Sequence, residues 1–143
     1  MFTRELYFFI ISSIAIVLIK CALQEERQLV KRYQMECIEE TRVDPDSITK
    51  IKGGDWRLRQ AGQIQLVKDW ALCVLMKAGL MTAQGVYKID VALSKVSPED
   101  RDSVEMVIDN CLSQKAIPAP DIAFNFIKCF QKVKSNYTMV SIL

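Results

Sequence analysis

The sequence contains no histidine. That absence removes the commonest acid–base relay, the nucleophile–histidine arrangements of hydrolases and the mixed cysteine–histidine zinc sites. It also removes the side chain that ordinarily changes charge between about pH 5 and 8. Glycine and proline are sparse, at 5 and 4 of 143 residues, and no glycine-rich phosphate loop, repeat or low-complexity stretch occurs. Excess charge is missing too. Nineteen basic residues face 17 acidic ones, a net charge of +2, which builds neither a basic stripe for nucleic acid nor a polybasic membrane patch. Paired acids such as Glu39-Glu40 and Glu99-Asp100 read as solvated helix faces and caps. These absences point away from an enzyme, from any metal or cofactor, and from nucleic-acid binding.

What is present begins with an apolar leader. Residues 1–22 read as a secretory signal: Arg4 gives a positive start, Tyr7 to Ile19 is apolar apart from Ser12 and Ser13, and the small residues Cys21 and Ala22 follow. The run is shorter than the roughly 20 apolar residues of a membrane span, so no stable membrane insertion is expected. Lys20 and Ile19 are imperfect where a cut wants a small side chain. Residues 23–143 then form one secreted, extracellular domain. Loss of the leader at or just after Cys21 turns five cysteines into four, Cys37, Cys73, Cys111 and Cys129, which suits two disulfides in a small secreted domain. They lack CxxC spacing, which argues against zinc.

Apolar residues recur at helical intervals and strand signals are scarce, so the fold class is all-α, with five to seven short helices. A charged helix over 24–42 carries Leu29, Val30, Tyr33 and Cys37 on one stripe. Asp44-Pro45 starts the next, with Ile48 and Ile51 inward, and Gly53-Gly54-Asp55 breaks it. Gln63 to Leu80 is the strongest apolar helix, and Gly79 is placed to end it. Gln84-Gly85 marks a turn, and Val91–Val96 is a short helix. Ser97-Pro98 opens a helix with the stripe Val104, Val107, Ile108, Cys111 and Leu112. After the stiff stretch 116–120, a last helix spans about Asp121 to Lys134, with Ile122, Phe126, Ile127, Cys129, Phe130 and Val133 apolar.

With these elements placed, the chain resembles the insect odorant-binding proteins of the pheromone and general odorant-binding type. The words CIEETRVDPDSITKIKGGD, KDWALCVLMKAGLMTAQG and AFNFIKC carry the resemblance, which covers about residues 24–134. The family pattern has six cysteines. Cys37, Cys73, Cys111 and Cys129 match the first, third, fourth and sixth, while Asp69 and Pro120 stand where the second and fifth would be. Those two partner each other in the family, so one whole bridge is missing, as in its four-cysteine "minus-C" subclass. The resemblance implies pairs Cys37–Cys73 and Cys111–Cys129 and a compact domain of about six helices around an apolar cavity.

It further implies a carrier of small hydrophobic ligands, such as odorants or pheromones, through aqueous fluid, with a chemosensory receptor as a further partner and a monomer or weak dimer as its state. Expected lining residues are Leu72, Met76, Leu80, Val104, Val107, Ile108, Phe126, Ile127 and Phe130. Trp56, Trp70 and Tyr87 are available as hydrogen-bond donors. The missing bridge implies an adaptable pocket. The absent histidine implies affinity that varies little between pH 5 and 7. The apolar tail from Tyr137 to Leu143 is read as a lid or a frayed end, and Asn136-Tyr137-Thr138 as a glycosylation sequon. The competing reading is a secreted helical interaction protein, a venom, salivary or seminal component, with the same fold and a filled core.

Overall fold

The computed structural model describes residues 2–58, 60–112 and 114–133. Its helices are α1 Phe2–Thr41, α2 Pro45–Lys52, α3 Ala61–Lys77, α4 Ile89–Ser94, α5 Arg101–Cys111 and α6 Ala119–Lys132. Beside them, among the described residues, stands an isolated antiparallel bridge between Met81 and Tyr87. The protein is all-α. Asn136 and the tail from Tyr137 to Leu143 lie outside the described residues.

The chain packs as two units, Met1–Arg32 and Tyr33–Leu143. The division falls inside α1, which runs without a break past residue 22; no separate helix begins at 24. In the first unit the large apolar side chains from Leu6 to Ile19 are between 50 and 70 % exposed. An 18-residue window of this helix has a mean hydropathy of 2.4. By length and composition alone it therefore passes for a membrane span. A secretory signal near an N-terminus passes the same test. At its far end, Arg42 takes φ 58°, a left-handed residue that ends α1.

In the second unit, local chemistry sets each boundary. Asp44 caps α2: its carboxylate accepts from the Asp46 N–H at 3.2 Å and from the Ser47 hydroxyl at 3.1 Å, with Pro45 at the first helical position. Gly79 adopts φ 72° after α3. Its N–H donates to the Met76 carbonyl, and the Leu80 N–H reaches back to that of Leu75. This paired closure satisfies carbonyls left open at the helix end. Two starts differ from expectation. Ser97 does not cap α5; it closes a preceding turn, donating to the Asp100 carboxylate at 2.7 Å, and Asp100 takes the cap position. The last helix begins at Ala119, not Asp121, because Pro120 fits the first turn, where no backbone donor is needed.

Gly85 is required twice over. It turns the chain at φ 85°, and a β-carbon there would lie 2.9 Å from the Ile122 Cδ1 and 3.1 Å from the Ala119 Cα. The turn thus abuts the first turn of α6. Gly85→Ala is expected to lose about 1–3 kcal/mol, from left-handed strain and this close approach. Chemical denaturation measures it, and an unchanged midpoint would refute the argument.

α6 packs against α3 and α5, α4 against α5, and α2 against α3. The buried side chains of this layer are Val67, Trp70, Ala71, Val74 and Leu75 from α3, Val104, Ile108 and Cys111 from α5, and Ala123, Phe126, Ile127 and Phe130 from α6. Their positions follow the three-and-four spacing of an amphipathic helix. Disulfides join Cys37 to Cys73, with Cα atoms 5.8 Å apart, and Cys111 to Cys129, with Cα atoms 5.4 Å apart. The first ties the end of α1 to α3, and the second ties α5 to α6.

Candidate functional site

The layer formed by α3, α5 and α6 holds most of the side chains expected around a ligand. Leu80, Val104, Ile108, Phe126, Ile127 and Phe130 are buried. Leu72 and Val107 are half-buried. Met76 is not in the interior: it is 42 % exposed. The reason is geometric. At about 100° per residue, Met76 lies roughly half a turn from Val67, which anchors the buried face of α3. Leu72 also falls off that face, while Leu75, absent from the sequence-based set, occupies it. Leu75 follows Ala71 by four residues on this face, a register that shows only once Val67 is known to be buried.

An aromatic column runs through the layer. The Tyr87 and Phe126 rings have centroids 4.5 Å apart, and Phe126 and Phe130 are 5.6 Å apart. These are tilted contacts at distances favourable for ring pairs. Tyr87 enters from the turn after α3, pinned by its bridge to Met81 and by the Lys88 N–H donating to the Leu80 carbonyl at 2.8 Å. Burial pushes the Tyr87 phenol well above its ordinary pKa, so it stays protonated.

The two tryptophans are committed to the protein. Trp70 Nε1 donates to the backbone carbonyl of Gln34 at 3.2 Å, joining α3 to α1. Trp56 Nε1 donates to Gln131 Oε1 at 2.6 Å, while Gln131 Nε2 donates to the Ile51 carbonyl at 2.9 Å. Gln131 on α6 thereby fastens the end of α2. The Trp56 ring also stands edge-on to Phe124, 5.2 Å away.

Charged pairs border the layer. Lys68 on α3 meets Asp121 on α6 at 2.5 Å. These residues are the chain neighbours of Asp69 and Pro120, so the ion pair spans the same two helices at the same level. Asp69 itself accepts from Gln65 Nε2 one turn earlier, at 3.0 Å. Lys77 reaches Glu40 at 2.8 Å and Glu36 at 3.2 Å, and these carboxylates hold its pKa above the ordinary lysine value. This exposed cluster lies beside the Cys37–Cys73 link and adds little energy by itself.

A surface cleft of about 580 Å³ lies apart from the layer, lined by Asp44, Ser47, Lys50, Asp55, Arg57, Leu58, Gln60 and Gln63. Arg57 donates to Asp55 at 2.9 Å and holds that carboxyl below the usual carboxylate range. Its polar lining does not suit an apolar ligand. Among the described residues no group of three or more acidic or cysteine side chains could hold a metal ion.

A sequence profile of the PBP/GOBP family matches residues 20–133. The chain belongs to the PBP/GOBP family. Among curated proteins, it is 26 % identical over 107 residues to odorant-binding protein 10 of Aedes aegypti, covering 74 % of each chain. Among solved structures, it is similar to a fatty acid binding protein from the oral disk of the blowfly Phormia regina, with 28 % identity and a TM-score of 0.59, covering 77 % of this chain and 92 % of that one. A medfly odorant binding protein gives 26 % identity and a TM-score of 0.59, covering 79 % and 94 %. An odorant binding protein of Locusta migratoria shares the fold at 18 % identity and a TM-score of 0.60, covering 80 % and 86 %. PBP/GOBP membership places the chain among carriers of small ligands and not among enzymes.

Proposed function

We propose that the protein is a secreted carrier that holds a small hydrophobic ligand within the α3–α5–α6 layer. The observation that carries this reading is the aromatic column of Tyr87, Phe126 and Phe130 at the centre of that apolar layer. In this reading the buried Leu80, Val104, Ile108 and Ile127 line the ligand space and the half-buried Leu72 and Val107 stand at its margin, while Met76, on the opposite face of α3, lies outside it. A ligand leaving water for such surroundings gains about 0.8 kcal/mol per buried methylene, enough for micromolar affinity with a modest chain.

In this reading the leader, residues 1–22, is removed during secretion. The exposed apolar wall from Leu6 to Ile19 supports that, since a soluble domain rarely carries such a surface. The carrier is a monomer or weak dimer that delivers its ligand toward a chemosensory receptor, without stable membrane insertion. In this reading it belongs to the minus-C subclass, and the Lys68–Asp121 pair, one residue along from Asp69 and Pro120, links the same two helices. Asp69→Cys combined with Pro120→Cys is expected to form a third disulfide, counted by mass after alkylation; two free thiols in the folded protein would refute the alignment.

The test is uptake of N-phenyl-1-naphthylamine by protein secreted from cells expressing the full chain. Saturable micromolar binding, displaced by small volatile esters and alcohols, is expected. A folded protein that takes up no probe would instead favour a filled interaction module. Affinity is expected to change less than threefold between pH 5 and 7. With no histidine, no unperturbed side chain titrates there. Asp55 is shifted downward, so its contribution is present above the ordinary carboxylate range and fades only as pH falls below that range. A tenfold change would overturn this expectation.

A further inference from the structure

Three aromatic donors could meet a polar atom on the ligand, and the structure separates them. Both tryptophan N–H groups already donate to protein oxygens, at 2.6 and 3.2 Å. The Tyr87 hydroxyl is sealed from solvent and has no hydrogen-bond partner among the described residues. The residue is only 8 % exposed. Buried polar side-chain atoms nearly always find a partner, and one that does not calls for a functional explanation. Packing alone gives none: a phenylalanine would stack on Phe126 equally well without an orphaned hydroxyl. The turn from Met81 to Tyr87 fixes where the ring enters.

The surroundings limit what the hydroxyl can meet. Among the described side chains, the buried polar ones besides Tyr87 are Gln34 and Ser47, and neither is cationic. Among the described residues a carboxylate brought here would meet no buried counter-charge, and one neutral donor does not offset the loss of its hydration.

We propose that the Tyr87 hydroxyl is the polar anchor of the ligand site and that the preferred ligands are neutral oxygenated hydrocarbons: alcohols, aldehydes, ketones or esters. The phenol donates its O–H to the ligand oxygen while the hydrocarbon part lies along Phe126 and Phe130. This inference rests on the carrier reading and adds to it a contact and a chemical class.

The experiment compares 1-octanol, octane and octanoate as displacers of N-phenyl-1-naphthylamine at pH 7, using wild type and Tyr87→Phe. Wild type is expected to favour octanol over both competitors. Tyr87→Phe should weaken octanol by about 3- to 10-fold, the size of one neutral hydrogen bond, and leave octane unchanged. Equal octanol affinity in the two proteins would overturn the anchor and leave the carrier reading standing. Preference for octanoate would overturn the neutral class. Absence of probe uptake by wild type would overturn both readings. If Tyr87→Phe does not fold, ¹³Cζ-tyrosine labelling of wild type decides: a resonance shifted by octanol and not by octane supports the anchor, and no differential shift refutes it.

Discussion

Replacing Cys37 and Cys73 together by serine is expected to remove about 4 kcal/mol of stability, and the same change at Cys111 and Cys129 about 3 kcal/mol. The difference comes from the unfolded chain. The two links close loops of 36 and 18 residues, and a longer loop loses more conformational freedom when it is closed. Domains are typically stable by about 5–15 kcal/mol, so either loss alone leaves a folded population at room temperature. Both together, about 7 kcal/mol, should leave much of the chain unfolded. Urea titration of the three variants checks the order and size. A greater loss at the shorter loop would show that native contacts, not chain freedom, set the values. The Lys77 cluster does not rescue the first variant, because its carboxylates are exposed to water.

Phe126→Ala should be comparably damaging, at about 3–5 kcal/mol, for a different reason. The side chain is 1 % exposed and is the middle member of the aromatic column. Its removal deletes apolar burial and leaves a void that Tyr87 and Phe130, held by separate elements, fill incompletely. Thermal denaturation reads the loss. A value below about 1 kcal/mol would mean that the column collapses inward. The same variant informs the proposed ligand site: bulky branched esters should displace the probe relatively better than from wild type, because the vacated ring volume lies in the layer proposed to hold the ligand.

The sequence revealed helices more readily than faces. On α5 and α6 polar residues outline the apolar stripe, so Val104, Ile108, Phe126 and Phe130 could be placed inward from spacing alone. α3 offers no such outline. From Trp70 to Met76 every residue is apolar or cysteine, and nothing local distinguishes Leu75, buried, from Met76, exposed. That choice is made by α6, which packs against the Val67 face. Caps were legible where a short side chain meets its own backbone, as at Asp44. Ser97 misled because its hydroxyl bonds the Asp100 carboxylate and not a helix N–H, and the helix starts only after a turn, at Arg101. The approach of Gly85 to Ala119 and Ile122 was illegible, since the partners are over thirty residues away. Nor does the sequence show that Tyr87, and neither tryptophan, lacks a partner; that depends on where Gln34 and Gln131 lie.

The two disulfides do not interleave: the first loop is complete at residue 73, before the second begins at residue 111. Four cysteines allow three connectivities, and this one alone joins each to its nearest neighbour in order of synthesis. A nascent chain emerging N-terminus first can therefore oxidise its early pair before the later thiols exist to compete. Correct pairing becomes the consequence of timing as well as of stability, and a chain made this way has less need of an isomerase than one whose bridges cross.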